Sequence, residues 1–111
     1  MDKTERLLKD FVEHFNRGVE TGDFRALLKL FAPDATLWYS GVKRGPYFGR
    51  DAIQAGYRSA PPDDELEILD HHYRDGQMVV GYSWMRTPHV RAGEMRIVVV
   101  DDMVQSMEVV V

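Results

Sequence analysis

The chain contains no cysteine. That excludes disulfide frameworks, thiolate nucleophiles and cysteine-type zinc sites together, and it fits a reducing compartment. No apolar run is long enough to span a bilayer. The opening stretch MDKTERLLKDF is charged and lacks the apolar core of a secretory signal, so a cytoplasmic protein is expected. Positive charge is not in excess: 14 Lys and Arg stand against 18 Asp and Glu, a net charge of −4, with the signs interspersed. Neither nucleic acid nor an anionic membrane surface is therefore an expected partner. Repeats and linkers are missing too, and residues 1–111 read as a single domain. Asp70-His71-His72 has no HxxxH or HxH companion, so neither a metal nor another cofactor is expected.

What is present is ordered. Asp2 and Glu5 have capping-box spacing, and Leu7, Leu8, Phe11, Val12 and Phe15 recur at helical intervals. The pattern predicts a helix to about Arg17, with Gly18 as its stop. Asp23 can cap a second helix with Phe24, Leu27, Leu28 and Phe31 on its apolar face, ended by Pro33. Thr36–Ser40 reads as a strand, GVKRGPYFG as a loop, and Asp51 and Gln54 as the start of a third helix closed by Ala60-Pro61-Pro62. Four strands follow, Leu66–Tyr73, Met78–Arg86, Val90–Val100 and Val104–Val111, joined by the turn-like RDGQ, TPH and VDDM. Helices first and a meander afterwards predict an α+β domain, about three helices on a curved, mostly antiparallel sheet.

FAPDAT after a helix pair, GRDAI after a Gly/Pro loop and a closing VxSMxxxV-type strand resemble the nuclear transport factor 2-like superfamily. That group includes ketosteroid isomerases, limonene epoxide hydrolases, SnoaL-like polyketide cyclases and scytalone dehydratases. The resemblance implies a cone-shaped, cystatin-like fold whose concave face lines an apolar pocket. It implies Leu37 and Tyr39 inward and Trp38 outward, with Tyr39 where the isomerase has its basic aspartate. Phe15 falls where the isomerase has an oxyanion-hole tyrosine, and Glu94 where it has a second, protonated acid. The epoxide hydrolase arginine and aspartate fall near Tyr82 and Trp84, and its last aspartate near Val109. Neither catalytic set is intact.

Strand pairing bears on Glu94. A two-residue Asp101-Asp102 turn makes Val98 oppose Gln105 and Glu94 oppose Val109, and a three-residue TPH loop makes Tyr82 oppose Glu94. Tyr82, Trp84, Glu94 and Arg96 then share a face, whereas a two-residue loop at Pro88-His89 reverses the Tyr82/Trp84 set. Two readings of Glu94 stand: a protonated donor inside the cone, or a partner of Arg96, Arg91 or Arg86 at a solvated edge. Tyr39 or Tyr82 is a second donor, and two donors on one oxygen suit enolate chemistry. His14, beside Phe15, is a candidate base or an idle flank histidine. His72 shares a face with Asp70 and could be oriented by it, or both are surface groups. Phe15, Leu37, Tyr57, Tyr82 and Trp84 are the candidate substrate-binding set.

The strands IVVV (97–100) and EVVV (108–111) do not alternate. With Trp38, Ile97, Val99 and Val110 placed on the convex face, that face needs cover, and a homodimer through it is expected. Two functions fit. One is a small-molecule-binding protein, an isomerase, cyclase or dehydratase working through Glu94, Tyr39 and His14 on a small apolar ligand. The other is a non-catalytic homodimeric assembly module with a vestigial pocket. In the module, Gly41–Phe48, with Lys43 and Arg44, could serve a partner or act as a pocket lid.

Overall fold

The computed structural model describes residues 2–111. The Asp2 carboxylate accepts from the Glu5 N–H at 2.8 Å and starts α1 (Lys3–Thr21). α1 does not stop at Gly18. It runs a turn further to Gly22, whose φ of 81° supplies the left-handed cap. Gly18 is instead a contact point: a Cβ there would lie 2.3 Å from the Phe24 ring. The second helix is only one turn, α2 (Arg25–Leu28), because Phe31 already belongs to β1 (Phe31–Ser40). Pro33 sits in that strand where its register with the last strand slips between Phe31 and Thr36, a place a proline tolerates. A two-residue strand, β2 (Tyr47–Phe48), lies within the expected loop and pairs with β1. α3 (Arg50–Ser59) starts at Gly49 rather than on a side-chain cap. The Arg50 guanidinium ties it to β1 by donating to the Phe31 carbonyl at 2.6 and 3.1 Å.

The meander is β3 (Leu66–Arg74), β4 (Gln77–Trp84), β5 (Gly93–Val100) and β6 (Met103–Val110). Asp75-Gly76 and Asp101-Asp102 turn with positive φ at both residues, the geometry that matches strand twist. The sheet order is β2-β1-β6-β5-β4-β3, antiparallel except for β1 and β6. The fold is thus α+β, three helices on one face of a curved, unclosed six-stranded sheet. The core joins Leu7, Phe11 and Phe15 of α1 to Leu37, Val80, Ile97, Val104 and Met107 of the sheet. No described helix is long and apolar enough to cross a membrane.

A β-bulge decides which side chains the core receives. Val98 pairs with Ser106 but Val99 with Val104, so Gln105 is an extra residue in β6. Val104 and Met107, three apart, both join the helix-side core, whereas a regular strand would put them on opposite faces. Beyond the bulge Glu94 opposes Val110 and Arg96 opposes Glu108, not Val109 and Met107 as a plain hairpin requires. Ile97 is in the core and Val99 packs against it, contrary to the expected convex placement.

Gly18→Ala is expected to destabilise the fold despite the higher helix propensity of Ala, because the Phe24 ring stacks on Tyr57 at 5.0 Å and cannot simply retreat. In urea-melt double-mutant cycles, Gly18→Ala and Phe24→Ala should couple by about 1 kcal/mol or more, whereas Gly22→Ala and Phe24→Ala should add within about 0.5 kcal/mol.

Candidate functional site

Between the second half of α1 and the ends of β1, β4, β5 and β6 the core is not filled. A cavity of about 380 Å³ opens there, within the range of small-molecule sites. Phe11, Phe15 and Trp84 make one wall, and Leu37, Met95, Met107 and Val109 make the sheet floor. Val42 and Arg44, from the loop after β1, and Pro61, Pro62 and Asp63, after α3, stand at the mouth. Phe15 is the hub of the aromatic wall, with ring centroids 6.3–6.5 Å from Phe11, Phe24, Tyr57 and Trp84. Tyr82 meets Trp84 edge-on at 5.5 Å, an arrangement aromatic rings favour.

Three phenols line this space: Tyr39, Tyr57 and Tyr82. Burial pushes all three above the ordinary tyrosine value, and the Arg44 charge opposes it at Tyr39 and Tyr57. Tyr39 lies close enough to raise the other two further. No hydrogen bond contributes to any of these shifts. They are neutral donors, not bases, and each O–H is free for a ligand oxygen. Among the described residues the remaining ionisable lining side chains are Arg44 and Asp63. The Arg44 guanidinium carbon stands 5.1 Å from the Tyr39 ring centroid and one Nη donates to the Ala60 carbonyl. The exposed Asp63 carboxylate lies 3.6 Å from Arg86 Nη2.

The structure places Phe15, Leu37, Tyr39, Tyr57, Tyr82 and Trp84 together on this wall. It does not bring Glu94 or His14 to them. Tyr82 opposes Gly93 and Glu94 opposes Gly81, because the β4–β5 connection is a longer loop over 85–92, and alternation along β5 puts Glu94 on the face opposite the core residues Met95 and Ile97. There it joins a charge ladder. Arg96 Nε donates to Glu94 Oε2 at 3.0 Å, Arg96 Nη1 lies 3.5 Å from Glu108, and Ser40 Oγ bonds Glu108 at 2.6 Å. Arg91 bridges Glu94 at 3.7 Å and Asp70 at 3.1 Å. Glu94 is thus the arginine partner of the second reading. His14 is half-exposed in a groove with Asn16, Glu20 and Glu65, since it lies off the buried α1 stripe that carries Phe11 and Phe15. His71 and His72 are exposed, and Asp70 pairs with Arg91 rather than His72.

Sequence reasoning did not assign Arg44, Met107 or Val109 to the site. Alternation from Met107 to Val109 was a usable signal once β6 was anchored on Leu37–Met107 pairing. Arg44 carried none beyond lying in a loop.

A family profile described as a SnoaL-like domain matches residues 12–109. The chain belongs to this family. No curated protein matches the SnoaL-like chain in sequence. Among solved structures it is similar to a candidate polyketide cyclase from Sinorhizobium meliloti, at 21% identity and TM-score 0.65, covering 98% of this chain and 99% of that one. It is also similar to a candidate ketosteroid isomerase from Kribbella flavida, at 18% identity and TM-score 0.72, covering 97% and 76%. A nuclear transport factor 2-like protein of unknown function from Burkholderia pseudomallei matches at 16% identity and TM-score 0.75, covering 98% and 90%. At these identities the likeness is one of fold.

The raised phenols set an alkaline limit on stability. Above about pH 10 the unfolded chain releases phenolic protons that the native state retains, so stability is full below that pH and falls as pH rises beyond it. Tyr57→Phe should flatten that decline by about 1.4 kcal/mol per pH unit in urea melts. An unchanged slope would mean that the Tyr57 hydroxyl meets water.

Proposed function

We propose that this SnoaL-like domain binds a small, flat, mostly apolar molecule that presents an oxygen acceptor to Tyr39, Tyr57 and Tyr82. The observation carrying this reading is the set of three un-ionised phenols, none engaged by a hydrogen bond, around an apolar cavity of about 380 Å³. Rings and methionines supply sequence-tolerant apolar contact, and the hydroxyls supply orientation. The same donors would stabilise charge building on a carbonyl oxygen, the acid half of an isomerase, cyclase or dehydratase. The base half has no such support: among the described lining residues the one carboxylate side chain is Asp63, at the mouth and beside Arg86. Binding is therefore the function favoured over proton abstraction.

An aryl ketone such as 2-acetonaphthone should raise the melting temperature in a concentration-dependent way. Tyr39→Phe and Tyr82→Phe should each weaken its calorimetric affinity by about two- to tenfold, the scale of one hydrogen bond. Val109→Trp, which puts an indole in the cavity, should abolish binding. A melting temperature indifferent to any flat carbonyl compound would refute this reading.

We further propose self-association through the outer sheet face. Trp38 and Val110 lie half-exposed there, and Phe48, beside Thr36 on β2, is 71% exposed. The contact is confined to the β2–β1–β6 side, because loop 85–92 covers the outer face of β3 and β4: His89 reaches Glu67 at 2.9 Å and Arg91 reaches Asp70. Sedimentation should show a dimer that Trp38→Glu converts to monomer without loss of secondary structure, and a wild-type monomer would refute the proposal.

A further inference from the structure

Arg44 is a half-buried guanidinium without a counter-ion. It takes part in none of the ion pairs among the described residues. One Nη is used on the Ala60 carbonyl, and the Tyr39 ring faces the guanidinium carbon at 5.1 Å. A ring face attracts the cation but accepts none of its in-plane N–H groups as a carboxylate would. Nε is shielded from solvent and has no acceptor at all. Buried polar hydrogens are almost always paired, and an orphan calls for a missing partner. The one carboxylate side chain among the described lining residues, Asp63, lies 3.6 Å from Arg86. Arg44 is also the one cationic side chain among the described residues lining the cavity, so an unpaired guanidinium stands at the mouth of an apolar chamber.

We propose that the ligand is an anion: a flat aromatic body inside the cavity, with a carboxylate or comparably acidic oxygen pair held at the mouth by Arg44. The planar fork of guanidinium N–H groups fits two oxygens, which a carbonyl alone does not offer. The neutral phenols of Tyr39 and Tyr57, near Arg44, can donate to the same acid group without competing charge. The Ala60 contact holds the Arg44 loop against the end of α3, so the fork is anchored on one side before a ligand arrives. This inference rests on the cavity being a binding site and narrows what that site admits.

The test is a matched pair, 2-naphthoate and 2-acetonaphthone, titrated calorimetrically into the full chain near neutral pH. Wild type should prefer the naphthoate by about tenfold or more. Arg44→Gln should bring the ratio close to one, and Arg44→Lys, which keeps the charge but loses the fork, should retain part of it. Val109→Trp should eliminate naphthoate binding. Equal wild-type affinities, a preference surviving Arg44→Gln, or naphthoate still binding Val109→Trp would overturn the proposal while leaving ketone binding intact. If neither compound binds wild type, the cavity reading falls with it. Should Arg44→Gln not fold, the naphthoate preference must instead shrink with added NaCl while ketone affinity holds, and a salt-independent preference would count against Arg44.

Discussion

The extra residue at Gln105 governs the rest of the molecule. Side chains on a strand alternate with a period of two, so one inserted residue exchanges the two faces for everything beyond it. Because β6 bulges there, Val104 and Met107 both enter the core, Val109 reaches the cavity floor, and Glu108 is turned outward to Arg96 and Ser40. The neighbouring irregularity in β1 between Phe31 and Thr36 lets the parallel pairing of β1 and β6 follow the same change, and Gln105 Nε2 donates to Asp34 across the two distorted segments at 3.1 Å. Without the bulge, Met107 and Val109 would oppose Arg96 and Glu94, so the apolar inner face of β6 and the charges of β5 would share one face, where unpaired charge is costly to bury.

That constraint separates the two faces of the sheet by chemistry. The inner face collects rings, methionines and phenols around Phe15, and the space they leave is bounded by donors rather than by ionised groups. The outer face carries alternating charges, Glu108, Arg96, Glu94, Arg91 and Asp70, that satisfy one another across β6, β5 and β3. Its arginines and Asp70 stay in contact with water, while Glu94 and Glu108 are mostly covered by their partners. The ladder penalises a register slip, because a one-residue shift of β5 or β6 would turn that strand's charges inward and break the pairs.

Much of the fold was legible in local patterns. The α1 stripe, the Asp2 cap and the Asp-Gly turn each state their conformation through nearest-neighbour geometry. Even the inward Tyr39 and outward Trp38 follow from alternation once β1 is oriented. The errors arose where a local signal had a non-local use. Gly18 read as a helix stop, and it is a seat for the Phe24 ring, which a residue outside the helix supplies. Pro33 read as the end of a helix, and it occupies a strand where pairing with β6 is already interrupted. Ile97 and Val99 read as convex because no sequence pattern announces a bulge in a run of valines.

The site shows the same division. The aromatic lining was readable only through the family resemblance, which implied a partly empty cone, while the side on which Tyr82 and Trp84 lie hung on a loop length that periodicity does not fix. The sequence by itself therefore determined the element types, the apolar inner surface and the family. Only the tertiary structure decided that Glu94 lies outside, that His14 is off the pocket, and that Arg44 stands unpaired at its mouth. Strand register and loop placement depend on contacts between residues far apart in the chain, and a single bulged residue there outweighs any propensity acting along it.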